Sequence, residues 1–238
     1  MGQETALILF QFVALIFALS FHECAHALTA SRLGDQTARM LGRVTLNPVK
    51  QLDLLGSVIL PLVSAFAHFP LIGWAKPTPV TPRNFKHYKR DDMLTTLAGP
   101  ASNLLLAVIS LVLLLIVKSA FPAGRLAVQS AAFIALRIEG VTLQGQSAIF
   151  PIALLLYCSV LINLLLAVFN LLPVPPLDGS RILRHYLPYA WQETYDRLTG
   201  FGGLILLYLL MRLGVLNWFY APMFSLFNRL LLPEFMGR

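Results

Sequence analysis

The sequence predicts an all-α polytopic membrane protein, and three observations carry that expectation. Of 238 residues, 57% are hydrophobic and 12% are Asp, Glu, Lys or Arg, about half the charged fraction of a soluble domain. Mean hydropathy is +0.72. Several apolar runs approach or exceed the roughly 20 residues that cross a bilayer. A soluble globule, a disordered tail and a disulfide scaffold are thereby excluded. The expectation is one membrane-embedded domain over 1–238, with a core at about 5–185, a C-terminal hairpin at about 198–238, and five to six transmembrane segments in all. The net charge is +7, but the basic residues sit in loops between apolar runs. That placement suits topology determinants and anionic lipid rather than nucleic acid.

The first apolar segment runs from Thr5 to Leu33, with Gly34 as its stop. Met1–Thr5 hold no Lys or Arg, so the segment is read as part of the mature chain despite the signal-peptidase-like Ala25-His26-Ala27. Residues 40–53 are half apolar and β-rich in character, which predicts short strands. The run 54–74 is broken by Pro61, His68 and Pro70, which suits a re-entrant segment. Pro77, Pro79 and Pro82 exclude a helix through most of the following polar loop. The run 94–117 is long and clean, with Gly99-Pro100-Ala101-Ser102-Asn103 near its start. Residues 119–148 are mixed. The run 149–172 ends in Pro173, Pro175 and Pro176, followed by Leu177-Asp178-Gly179. A final apolar hairpin over 200–232 is expected to turn near Gly214. Cys24 and Cys158 lie in apolar segments and read as buried thiols rather than a bridge.

Ionisable groups inside a span are expensive and usually functional. The first segment ends in His22-Glu23-Cys24-Ala25-His26, the H-E-x-x-H pattern. On a helix His22 and His26 stand about 40° apart and about 6 Å along the axis, so both imidazoles reach one metal. Glu23 points to the side, where it can polarise water. Two histidines leave Zn²⁺ short of one protein ligand, and Asp178 is the best candidate. It follows a rigid proline turn that can aim a carboxylate at a fixed point, and Gly179 permits a close backbone approach. The competing reading of Asp178 is an ordinary turn Asp before Gly. Asn103, Asn163 and Asn170 read either as interhelical hydrogen-bond glue or as groups that bind substrate backbone. His68, His87 and His185 lack a partner pattern and are taken as non-ligands.

The joint pattern resembles the site-2 protease family of intramembrane zinc metalloproteases. Ser159, Asn163, Asn170, Pro173, Pro175, Leu177, Asp178 and Gly179 match that family's second motif with every spacing kept. Residues 34–48, 73–77 and 98–103 are similar to its compact branch, which lacks PDZ and CBS domains. The resemblance implies one Zn²⁺ per chain held by His22, His26 and Asp178, with Glu23 as general base. It also implies asparagines that position substrate or stabilise the intermediate, and partners that are transmembrane segments of membrane proteins. The alternatives are a zinc-binding transporter and a non-proteolytic scaffold. A transporter needs ionisable groups along a through-path, whereas here they gather at one depth. Glu23 argues against a silent scaffold.

His26 and Asp178 must lie at one depth, so the spans that carry them exit on the same side. With 54–74 re-entrant, loops 34–53 and 75–93 share that side. Together with Arg32 these loops hold nine Lys or Arg residues, against two in 119–148. The positive-inside rule then makes that side cytoplasmic. This places the chain in the cytoplasmic membrane with its N-terminus outside and its C-terminus inside. Strands within 40–53 would add to an unwound substrate by edge pairing.

Overall fold

A computed structural model describes residues 2–66, 75–138, 145–198 and 201–232. His68, Pro70 and the Gly73-Trp74 pair lie outside the described residues. Among the described residues three helices are long and apolar enough to cross a membrane: α1 (Gln3–Arg32), α5 (Tyr88–Ala120) and α7 (Phe150–Asn170). At 1.5 Å per residue, α1 and α5 span about 45–50 Å, well beyond the hydrocarbon core of about 30 Å. Their polar ends therefore stand outside it or the helices tilt. α6 (Gly124–Ala135) joins them. The shared core packs Leu7 and Ala14 of α1, Ala107 and Leu114 of α5, Val128 of α6, and Leu154 and Leu164 of α7.

Between α1 and α5 lie two single turns, α2 (Thr37–Met40) and α3 (Pro48–Gln51), and then the short α4 (Leu60–Phe66) behind a π-helical turn at Leu54–Ile59. The strands expected in 40–53 do not form. Among the described residues the only bridge is Leu52 to Ala75. Side chains satisfy the backbone of this loop instead. Buried Gln51 donates to the Arg43 and Thr45 carbonyls, both at 2.8 Å, and the buried Arg43 guanidinium donates to the Lys50 and Lys76 carbonyls. Asn47 caps α3 by accepting from the Val49 N–H at 3.1 Å, with Pro48 at the first helical position.

The preceding loop is tied down by Asp35, which accepts from Thr37, the Thr81 N–H at 2.7 Å and the Asn84 amide at 2.8 Å. Burial pushes the Asp35 carboxyl up, but these donors outweigh it and hold the group below its usual range.

After α7 the chain turns through cis Pro175–Pro176 into α8 (Asp178–Arg184), α9 (Tyr189–Arg197), α10 (Phe201–Arg212) and α11 (Val215–Leu231). The expected C-terminal hairpin is a bend rather than a full reversal: α10 and α11 meet at 58° where Gly214 takes a left-handed conformation. Cys158 is buried and Cys24 half-buried, and both are free thiols.

Candidate metal centre

The two H-E-x-x-H histidines lie one turn apart on α1, and both are buried. Their Nε2 atoms stand 3.0 Å apart. Asp178, the first residue of α8, brings its Oδ2 to 3.1 Å from His22 Nε2 and 3.3 Å from His26 Nε2. A tetrahedral zinc with bonds of about 2.0–2.1 Å needs neighbouring ligand atoms about 3.3–3.4 Å apart, and the three atoms approach that triangle. Among the described residues this is the only cluster of at least three such groups able to hold a metal ion. His87 and His185 stand outside it.

The protonation pattern makes the triangle more than a coincidence of distance. His26 Nδ1 lies 2.7 Å from the Thr95 carbonyl, which can only accept, so His26 carries its proton there. The same logic reaches His22 by a relay. The Ser159 carbonyl can only accept, so Asn163 turns its amide nitrogen to it at 2.9 Å. Asn163 Oδ1 then faces the Asn103 amide at 3.1 Å, and Asn103 Oδ1 faces His22 Nδ1 at 2.7 Å. Each imidazole therefore turns Nε2 inward, and in its neutral form presents a lone pair there. Asp178 Oδ2 is buried, with the two histidine Nε2 atoms as its near neighbours. With the imidazoles neutral and the carboxylate ionised, three electron-pair donors converge there, and a cation turns their mutual repulsion into attraction.

Asn103 and Asn163 are buried and committed to this relay, so their amides orient His22. Asn170 behaves differently: it is half-buried and donates to the Leu166 carbonyl at 3.0 Å.

Gly99 has a role that sequence reasoning missed. A Cβ there would stand 2.6 Å from His22 Nε2 and closer still to His26 Nε2. The two imidazoles lie directly on its backbone. The run Ala98-Gly99-Pro100-Ala101-Ser102 in an otherwise bulky helix is the signal that could have found it, since small residues mark close approach. Gly179 behaves as the sequence suggests: a Cβ would lie 2.5 Å from the Leu172 carbonyl oxygen. α8 is fixed to α5 by buried Asp92, which accepts from His185 Nε2 at 2.8 Å and from Arg181. This clamp holds the helix that begins at Asp178.

Glu23 is buried beside the histidines, and its carboxylate is clasped by Thr78. Oε2 accepts from the Thr78 N–H at 2.9 Å and from its hydroxyl at 2.6 Å. Replacing Thr78 with valine removes one donor to a charged acceptor and keeps the fold. Turnover is expected to fall roughly tenfold with KM little changed, and Thr78→Ser should restore it. Steady-state kinetics of peptide-bond cleavage measures both.

Comparison with known proteins agrees with this chemistry. The profile of peptidase family M50 matches residues 10–211. YwhC of Bacillus subtilis, named as a zinc metalloprotease, is 37% identical over 197 residues, covering 83% of this chain and 78% of that protein. Rip2 of Mycolicibacterium smegmatis, likewise named, is 30% identical over 216 residues, covering 90% and 71%. No solved structure matches the chain at a significant level. With the motif matched along most of its length and a buried donor triangle suited to zinc, the chain belongs to peptidase family M50, the site-2 protease family of metallopeptidases.

Proposed function

We propose that the chain hydrolyses peptide bonds within or near transmembrane segments of partner membrane proteins. The observation that carries this reading is the convergence of His22 Nε2, His26 Nε2 and Asp178 Oδ2, with Glu23 beside them, at the end of the apolar stretch of α1. His22, His26 and Asp178 would hold one Zn²⁺ per chain. When bound, the ion supplies Lewis-acid chemistry and lowers the pKa of water towards neutrality. Glu23 takes a proton from the attacking water and passes it to the leaving amine. Thr78 orients Glu23 for that transfer, and the Asn103–Asn163 relay keeps the His22 lone pair turned inward. Asn170 Oδ1 has no partner among the described residues and is the asparagine best able to meet substrate. A substrate helix must unwind locally before its carbonyls are available.

We place the site near the cytoplasmic face, with the N-terminus outside. We read the run 54–74 as re-entrant because Pro61 and Pro70 break it. A cytoplasmic C-terminus requires the bent α10–α11 pair to re-enter rather than cross. Cysteines introduced at Arg39 and Arg83 are expected to label from the same side of the membrane. Labelling from opposite sides would overturn this topology.

Glu23→Gln tests the chemistry. The variant should keep its zinc and lose cleavage of a reporter transmembrane substrate by roughly 10²–10⁴-fold. Undiminished cleavage would sink the assignment of the base.

A further inference from the structure

A surface cavity of about 340 Å³ opens where α1 meets the loop after it, lined by Leu28, Ser31, Arg32, Arg39, Gly42 and Val44. The Lys50 ammonium reaches its rim, 3.2 Å from where a Gly42 Cβ would stand. Three cations therefore gather at one small cavity. Neither Arg32 nor Arg39 has a carboxylate or hydrogen-bond partner among the described residues. Asp35, the sole acidic residue between positions 33 and 52, is turned away to Thr37, Thr81 and Asn84. The cavity wall is a built one, because buried Arg43 and Gln51 hold the backbone around Val44 in place.

Two placements say what such a cavity would take. Helical phase sets Leu28 and Ser31 about 140–240° around α1 from both His22 and His26, and Arg32, about 80° in phase from His22, stands about 15 Å further along the axis. The flanking loop also presents apolar side chains to the outside: Met40 is 78% exposed, Leu41 64% and Val49 82%. Cations at the end of a span, ringed by exposed apolar residues, match the headgroup layer with acyl chains beside it.

We propose that this cavity binds the phosphate of an anionic phospholipid, with Arg32 and Arg39 as its ligands and Lys50 at the rim. The proposal needs α1 to be a membrane span and stands apart from the proteolysis reading, so either can fail alone.

The test uses the purified full chain in phosphatidylcholine nanodiscs titrated with phosphatidylglycerol. Retained lipid is counted by native mass spectrometry and the thermal midpoint is followed in parallel. Wild type should hold phosphatidylglycerol and shift its midpoint. The double variant Arg32→Gln/Arg39→Gln should need roughly ten- to thirtyfold more lipid for half-saturation, and Arg32→Lys/Arg39→Lys should recover part of that loss. Arg83→Gln, a charge on a nearby loop outside the cavity, should bind as wild type does. Equal binding by the Gln pair would overturn the site. An equal loss in Arg83→Gln would reduce it to diffuse surface charge and overturn it too. Inorganic phosphate that saturates at the same concentration would overturn the lipid as occupant, as would displacement of the lipid by an acidic substrate peptide.

Discussion

Gly99→Ala is expected to empty the metal centre while leaving the helix that carries it intact. Alanine is the better helix former by about 1 kcal/mol, so propensity alone predicts a more stable α5. The site decides the outcome instead. The new methyl would stand 2.6 Å from His22 Nε2 and nearer to His26 Nε2, distances no carbon tolerates. Neither imidazole can retreat freely, because their Nδ1 atoms are tied to Asn103 and the Thr95 carbonyl. Relief must come from breaking those bonds or from parting α1 and α5, and both pull the donor atoms out of register. Zinc affinity should drop at least hundredfold, since loss of outer support alone costs 10–100-fold, and cleavage should drop with it. Elemental analysis of the purified protein and its circular dichroism check both halves. A fully loaded, fully active alanine variant would show that the imidazoles do not rest on this glycine.

Asp178→Asn carries the second large effect, large for the metal and small for the fold. The amide is a poor ligand, so zinc should be lost and cleavage abolished. Yet the metal-free protein should lose little stability, because the asparagine NH₂ can donate to an Nε2 lone pair in place of the histidine–carboxylate contact. In thermal melts with and without a chelator, wild type should lose stability when metal is stripped. The variant should melt at one temperature in both, close to that of stripped wild type. A variant far less stable than stripped wild type would show that Asp178 supports the fold through contacts other than this triangle.

The three donor residues were legible in the sequence because their chemistry is local. An H-E-x-x-H run on a helix presents both histidines on one face whatever surrounds it, and a proline turn ahead of Asp-Gly announces a carboxylate held at a fixed point. The long spans were legible because apolar length is read directly. What escaped depends on which elements meet. Nothing local to Thr78 says that it clasps Glu23, 55 positions away. Asn103 looks the same whether it glues helices or orients an imidazole, and only the path from the Ser159 carbonyl to His22 distinguishes them. The strands expected in 40–53 failed for a related reason. β-rich composition promises backbone pairing, but Arg43 and Gln51 fold inward and take the carbonyls that a neighbouring strand would have used. His185 stands apart from the donor triangle, and its tie to Asp92 was invisible, since the partner sits 93 residues away.

The turn that delivers Asp178 leans on the C-terminal helices. Leu172, Val174 and Leu177 are buried against Leu206, Leu207 and Leu210 of α10 and Leu216 of α11, and the Tyr195 hydroxyl holds the Pro173 carbonyl at 2.8 Å. A chain cut after Arg184 would keep every ligand, the base and the relay, yet lose the wall behind the turn. The last helices therefore work as a buttress, and the smallest unit able to hold the third ligand rigid is larger than the set of residues that touch the metal.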